Sequence, residues 1–192
     1  LTYHGGPGFA SETMSAESTQ YLEPGNYIVE CYIKSNGIFH SYSPVKGELA
    51  MLLPLEVTDR PGGMTEPQAN ATLLINESGF ELTEGALTRG ENSVRVEFDT
   101  QIRFPSFVGQ DVHVVRIETE DDIQAAIDWM DWQTPTGLLV PSPVMFIGGI
   151  NDVMPAGSTA YFTVDLSPGR YAFIGEAPEA DRKGLLLEFE IP

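Results

Sequence analysis

The chain has 192 residues, enough for one or two domains and a sizeable core, and 42% of it is apolar. Ten Lys and Arg against 28 Asp and Glu give a net charge of −18, a field that repels nucleic acid and anionic membrane and favours solubility in salt. No apolar run reaches the ~18 residues of a membrane span, and one cysteine, Cys31, cannot form an internal disulfide.

The predicted elements are short and extended. Gly5-Gly6 precedes a polar loop, and a strand then ends in Tyr21-Leu-Glu-Pro-Gly-Asn-Tyr27. An apolar strand runs on to Cys31, a charged loop carries His40, and Ala50-Met-Leu-Leu-Pro-Leu-Glu-Val-Thr58 closes the segment as a β-run. Thr72 to Leu82 is predicted as one strand region. Asn92 to Phe98 alternates, with Val94, Val96 and Phe98 apolar, and Asp111 to Ile117 follows. One helix is expected from Glu120 to Trp132, with Asp121 and Asp122 in its first turn and an apolar stripe of Ile123, Ala126, Ile127 and Met130. Residues 133–147 are expected to be loop. The chain then repeats itself: Gly148-Gly149, a polar loop, Val164-Asp-Leu-Ser-Pro-Gly-Arg-Tyr171, an apolar strand, and a final β-run from Gly184 to Pro192.

Aligning the two passages sets Gly5-Gly6 on Gly148-Gly149 and Pro24-Gly25 on Pro168-Gly169. It also sets Cys31 on Gly175 and Met51 on Leu185. The second copy has a long β-rich lead-in and the first has almost none. Residues 65–192 therefore read as a complete domain, and residues 1–60 as the C-terminal half of a second one. The missing strands are expected upstream of Leu1 or on another chain. Short strands, frequent Gly and Pro turns and one inserted helix point to an all-β sandwich.

The pattern Gly-Gly…Asp165-Leu-Ser-Pro-Gly-Arg-Tyr-Ala172 with its closing apolar strand resembles the cupredoxin (blue-copper-like) family. So does Tyr3-His-Gly-Gly-Pro-Gly8…Leu22-Glu-Pro-Gly-Asn-Tyr27…Glu30-Cys-Tyr32…Asn36-Gly-Ile-Phe-His40. Together the two matches cover nearly the whole chain. The resemblance implies Greek-key β-sandwiches, one complete and one half, and a bacterial exported protein of tandem domains. It implies a type-1-like copper ion held by an early His followed by Cys, His and Met. Cys31, His40 and Met51 occupy the last three positions, and the early His is expected ahead of Leu1. In residues 65–192 the early-His position falls near Gln110, with His113 on the opposite face of its strand. With Gly175 for Cys, Leu185 for Met and no His in the loop between them, that domain is expected to be copper-free.

Thiolate, imidazole and thioether suit copper by their softness. The same three residues also read as a buried Cys, a surface His and a core Met, and the sequence leaves both readings open. No enzyme signature is visible: the three histidines at 4, 40 and 113 propose no nucleophile–base pair. The expected role is copper binding and electron transfer with a redox partner. The alternative is a structural or interaction subunit of an extracytoplasmic or membrane-associated assembly, working among other subunits. Neither role calls for nucleic acid or membrane insertion. The expected location is periplasmic or extracellular, after removal of an upstream signal segment.

Overall fold

A computed structural model describes residues 2–45, 50–60, 62–151 and 153–192. In chain order the strands are β1 (Gly6–Pro7), β2 (Glu17–Gln20), β3 (Gly25–Glu30), β4 (Lys34–Ser35), β5 (Ile38–Phe39) and β6 (Leu52–Val57). They continue with β7 (Ala71–Asn76), β8 (Gly79–Gly85), β9 (Gly90–Phe98), β10 (Val112–Ile117), β11 (Met145–Asn151), β12 (Ser158–Leu166), β13 (Gly169–Ile174) and β14 (Leu186–Ile191). One helix, α1 (Asp122–Met130), lies between β10 and β11.

Two five-stranded sheets make an all-β sandwich. One has the order β1-β11-β10-β13-β14, the other β2-β12-β9-β7-β8. All pairs are antiparallel except β7 with β9. Alternation puts Val94, Val96 and Phe98 of β9 inside, as the pattern predicts, against Val112, Val114, Tyr171 and Phe173 of the facing sheet. The opposite face of that facing sheet is covered too. Val115, Ile117, Ala172 and Ile174 pack beneath Ala126, Trp129 and Met130 of α1, and Trp129 Nε1 donates to the Leu139 carbonyl at 2.7 Å. Both sides of β10 from Val112 to Val115 and of β13 from Tyr171 to Ile174 are therefore buried.

Three element boundaries differ from expectation. The Thr72–Leu82 region is a hairpin, because Asn76 Oδ1 accepts from the Ser78 amide at 2.7 Å and Gly79 turns at φ 111°. The helix stops at Met130, two residues early, because the Leu138 amide folds back onto the Trp129 carbonyl at 2.7 Å. Gly148-Gly149 lies inside β11, which runs on to Asn151 before the loop that leads to β12, and β11 begins at Met145, within the predicted 133–147 loop.

The chain enters α1 over a clamp. Asp122 accepts from the Thr119 hydroxyl at 2.7 Å and from the Thr119 and Glu118 amides at 2.9 and 2.7 Å. The Thr119 hydroxyl, then the Thr119 amide and the Glu118 amide, hold this carboxyl below its ordinary range. A depressed folded-state pKa contributes stability that is complete above the unfolded value, near ~3.9, and is lost as pH falls through the folded one. Asp122→Asn is expected to cost about 1 kcal/mol at neutral pH. It should also flatten the acid limb below pH ~4. Thermal unfolding of both proteins from pH 5 to pH 2 checks this; parallel curves would contradict it.

The first sixty residues do not stand apart from the rest. β1 pairs with β11 through Gly6↔Asn151 and Pro7↔Ile150, and the alignment continues through Gly8 with Gly149, Phe9 with Gly148 and Ala10 with Ile147. β2 pairs with β12 from Glu17↔Thr163 to Gln20↔Ala160. Phe9 lies in the core beneath α1. Strand pairing and core packing thus cross the expected boundary at residue 60. β3 and β6 instead form a separate two-stranded ribbon.

Candidate functional site

The ribbon carries the thiol. Cys31 follows β3 directly, and its amide donates to the Met51 carbonyl at 3.1 Å, one step before β6. The chain then makes the tight β4–β5 hairpin over Asn36-Gly37, both at positive φ (52° and 78°), as a two-residue hairpin of Asn-Gly requires. The hairpin folds His40 back over Cys31. The His40 amide donates to the Ile33 carbonyl at 2.8 Å, and the Met51 amide donates to the His40 carbonyl at 2.8 Å. Cys31, His40 and Met51 are therefore brought together by backbone bonds, although eight and ten residues separate them in sequence. Residues 46–49 of the intervening loop lie outside the described residues.

The side chains divide. Cys31 Sγ and His40 Nδ1 are 3.5 Å apart, and His40 Nε2 is held by the Ser35 hydroxyl at 2.7 Å. Tetrahedral bonds of ~2.3 Å to sulfur and ~2.05 Å to nitrogen span about 3.6 Å between the two donors. The pair thus has the bite of a shared soft-metal ion. One ring nitrogen faces the sulfur and a neighbouring hydroxyl fixes the other, the outer-shell arrangement that metal-binding imidazoles require. The Met51 side chain is 58% exposed. Among the described residues no further His, Cys, Asp or Glu closes on the pair to make a group of three. The donor set fits copper in its thiolate and imidazole; Met51 is joined to both residues by its backbone alone, and a fourth ligand is still to be supplied.

The same hairpin recurs at the C-terminus in the same register. β3 and β6 pair from Gly25↔Val57 to Glu30↔Leu52; β13 and β14 pair from Gly169↔Ile191 to Ile174↔Leu186. The Gly175 amide donates to the Leu185 carbonyl at 2.9 Å, as Cys31 does to Met51. Each hairpin also starts with a tyrosine bonded four residues back, Tyr27 to the Glu23 carbonyl (2.7 Å) and Tyr171 to the Ser167 carbonyl (2.9 Å). Where the first copy holds sulfur, the second holds leucine: a Cβ on Gly175 would stand 3.0 Å from Leu185 Cβ. The 176–184 loop has no histidine.

Beside Gly175 the structure gathers a polar group that the sequence reading missed. Asp111, His113 and Glu176 are 2%, 0% and 6% exposed, with ligand-type atoms within 4.8 Å of one another. Only the β10–β13 pairing unites them, through His113↔Ile174, and no local pattern announces that. The proton positions follow from the partners. The Phe9 amide donates to His113 Nδ1 at 3.0 Å, so the neutral ring carries its proton on Nε2 and presents it to Asp111 Oδ2 at 3.3 Å. Asp111 Oδ1 accepts from the Glu176 amide at 2.8 Å, and Glu176 Oε2 lies 3.2 Å from the Tyr32 hydroxyl. His113 also stacks on the Phe9 ring, with centroids 4.1 Å apart. A cation at Nε2 would have to displace that proton. The group is a closed hydrogen-bond network that ties β10, the end of β13 and the N-terminal segment together.

No family model matches the chain. No curated protein matches it either. Among solved structures, auracyanin B is similar over 68% of this chain and 95% of its own length, at 14% identity and a TM-score of 0.42. The sandwich is read from the strand pairings above and not from this likeness.

Proposed function

We propose that the chain is a copper-binding, electron-transfer protein of the cupredoxin type, with copper confined to its first repeat. Cys31 and His40 are the strong ligands, Met51 is the weak axial one, and a histidine on a strand not contained in residues 1–60 is the fourth. Copper held there would exchange single electrons through its thiolate. The observation that carries the reading is the 3.5 Å contact between Cys31 Sγ and His40 Nδ1, with Met51 bonded by its backbone to both residues. The net charge of −18 suits a salty extracytoplasmic medium and a redox partner with a basic face.

The experiment is to load the protein with one equivalent of Cu(II), supplying free imidazole in place of the fourth ligand. Metal content and the visible spectrum are then recorded. An intense thiolate-to-copper band near ~600 nm is expected, and Cys31→Ser should abolish it. A protein that retains no copper, or a band that survives Cys31→Ser, sinks the proposal.

A second reading has its own observation: the C-terminal repeat keeps the hairpin but fills the ligand positions with Gly175 and Leu185 beside a closed polar network. A fold retained without ligands fits an interaction subunit of a larger extracytoplasmic assembly. Co-purification with other subunits from the native source would favour it; a solitary monomer would count against it.

A further inference from the structure

The two repeats meet along both sheets, and both meetings are centred on equivalent residues. Gly5-Gly6 aligns with Gly148-Gly149 in sequence, so Pro7 is equivalent to Ile150, and Pro7 pairs with Ile150. Pro24 aligns with Pro168, so Ser18 is equivalent to Phe162, and Ser18 pairs with Phe162. Two independent antiparallel pairs, one per sheet, each join a residue to its own counterpart. That is the signature of an isologous two-fold contact, here inside one chain.

The pseudo-two-fold axis dictates what belongs beside the first repeat. In the second repeat, β10 lies between β11 and β13 and pairs with both. The counterparts of β11 and β13 are β1 and β3. Among the described residues β1 is an edge strand and β3 pairs with β6 alone. The side chains of His4 and Tyr27 meet at these two edges, with ring centroids 5.2 Å apart. Because the Cys31 amide points to β6, the amides of Asn26, Ile28 and Glu30 point outward by alternation. Their counterparts in β13 face β10. The ribbon also shows an apolar face, with Val29 52% and Leu53 63% exposed, where their counterparts Phe173 and Leu187 pack in the sandwich core. An isolated two-stranded ribbon is marginal in water.

We propose that the gap between β1 and β3 is a strand-acceptor slot. Its occupant is a β-strand of another polypeptide segment, apolar on alternate residues, antiparallel to both edges, and part of a half-sandwich equivalent to β7–β10. A second copy of this chain does not fill the slot, because its own β10 is already paired on both sides. The mode is strand addition: main-chain bonds supply affinity and the alternating side chains supply register. The proposal rests on strand register and not on copper, and its test is run without metal.

The probe is a synthetic peptide of residues 109–118, the β10 sequence, added to the full chain while amide exchange is followed residue by residue. Saturating peptide should slow the outward amides of Asn26, Ile28 and Glu30 by ~10-fold or more, and by a larger factor than Tyr27, Val29 and Cys31, which are already bonded to β6. Ile28→Pro should abolish the effect, since it removes an outward donor and leaves the β6 ladder intact. A peptide N-methylated on alternate residues should fail with the unaltered protein, which covers the case of a misfolded variant. No slowing, equal slowing by a scrambled peptide, or slowing with the N-methylated peptide overturns the proposal. Concentration-dependent protection without peptide, with sedimentation as a dimer, would assign the slot to a second copy and overturn it equally.

Discussion

His113→Leu is expected to cost about 3–5 kcal/mol, because it leaves one oxygen of a buried carboxylate, Asp111 Oδ2, without a donor. The volume is nearly kept, so the loss is electrostatic and not a cavity. Asp111 Oδ2 loses the Nε2 proton and the Phe9 amide loses its acceptor, both away from water. In a chain of this size that corresponds to a melting point lower by roughly 10 °C. Asp111→Leu combined with His113→Leu should recover part of the loss, since the carboxylate goes with its partner; the Phe9 and Glu176 amides then remain without their acceptors. Urea unfolding of the two single variants and the double gives the coupling. A single-variant cost below about 1 kcal/mol, the ordinary worth of one neutral hydrogen bond, would show that water reaches Asp111 and that the network is not closed.

Gly149→Ala is expected to be comparably severe for a backbone reason. Gly149 sits at φ 127°, and a Cβ there would lie 2.1 Å from the Val112 carbonyl oxygen. Its own carbonyl accepts from Gly8, and it pairs with His113, so β1, β10 and β11 converge on this residue. Strain at the left-handed backbone and the clash together should reach about 4 kcal/mol. The damage should be directional, with β1 loosened and residues 1–60 cut first in limited proteolysis. Gly62→Ala, where no atom lies within 4 Å and φ is ordinary, is the control and should be silent. Equal protease resistance in the two variants would mean that β1 is not anchored at Gly149.

Much of this was legible in the chain. Pro-Gly-x-Tyr and the two terminal β-runs were enough to superpose Cys31 on Gly175 and Met51 on Leu185, and the hydrogen bonds of the two hairpins keep that correspondence. Period-two alternation located β9, with Val94, Val96 and Phe98 inside. What escaped was non-local. β1 has two residues and no periodicity, so its docking on β11 left no trace beyond the paired glycines, and those read as loop. Asp111 and Glu176 are 65 residues apart and become neighbours only through the β10–β13 pairing. Cys31, His40 and Met51 were visible as residue types in order. That His40 would turn its Nδ1 to the sulfur was not, because the tight Asn36-Gly37 turn and the Ser35 hydroxyl decide the ring's orientation.

The pairing of β1 and β2 with strands near the C-terminus also fixes an order of events during synthesis. Their partners lie in β11 and β12, so β1 has nothing to pair with until Asn151 has been made, and β2 is not fully paired until Thr163. Some 130 residues separate Cys31 from that point, roughly 7–25 s of elongation at ~5–20 residues per second. Throughout that interval the only thiol of the chain and the apolar ribbon beside it are open to oxidants, metal donors and chaperones. Within residues 1–192, β1 and β2 are thus made long before the strands that pair with them.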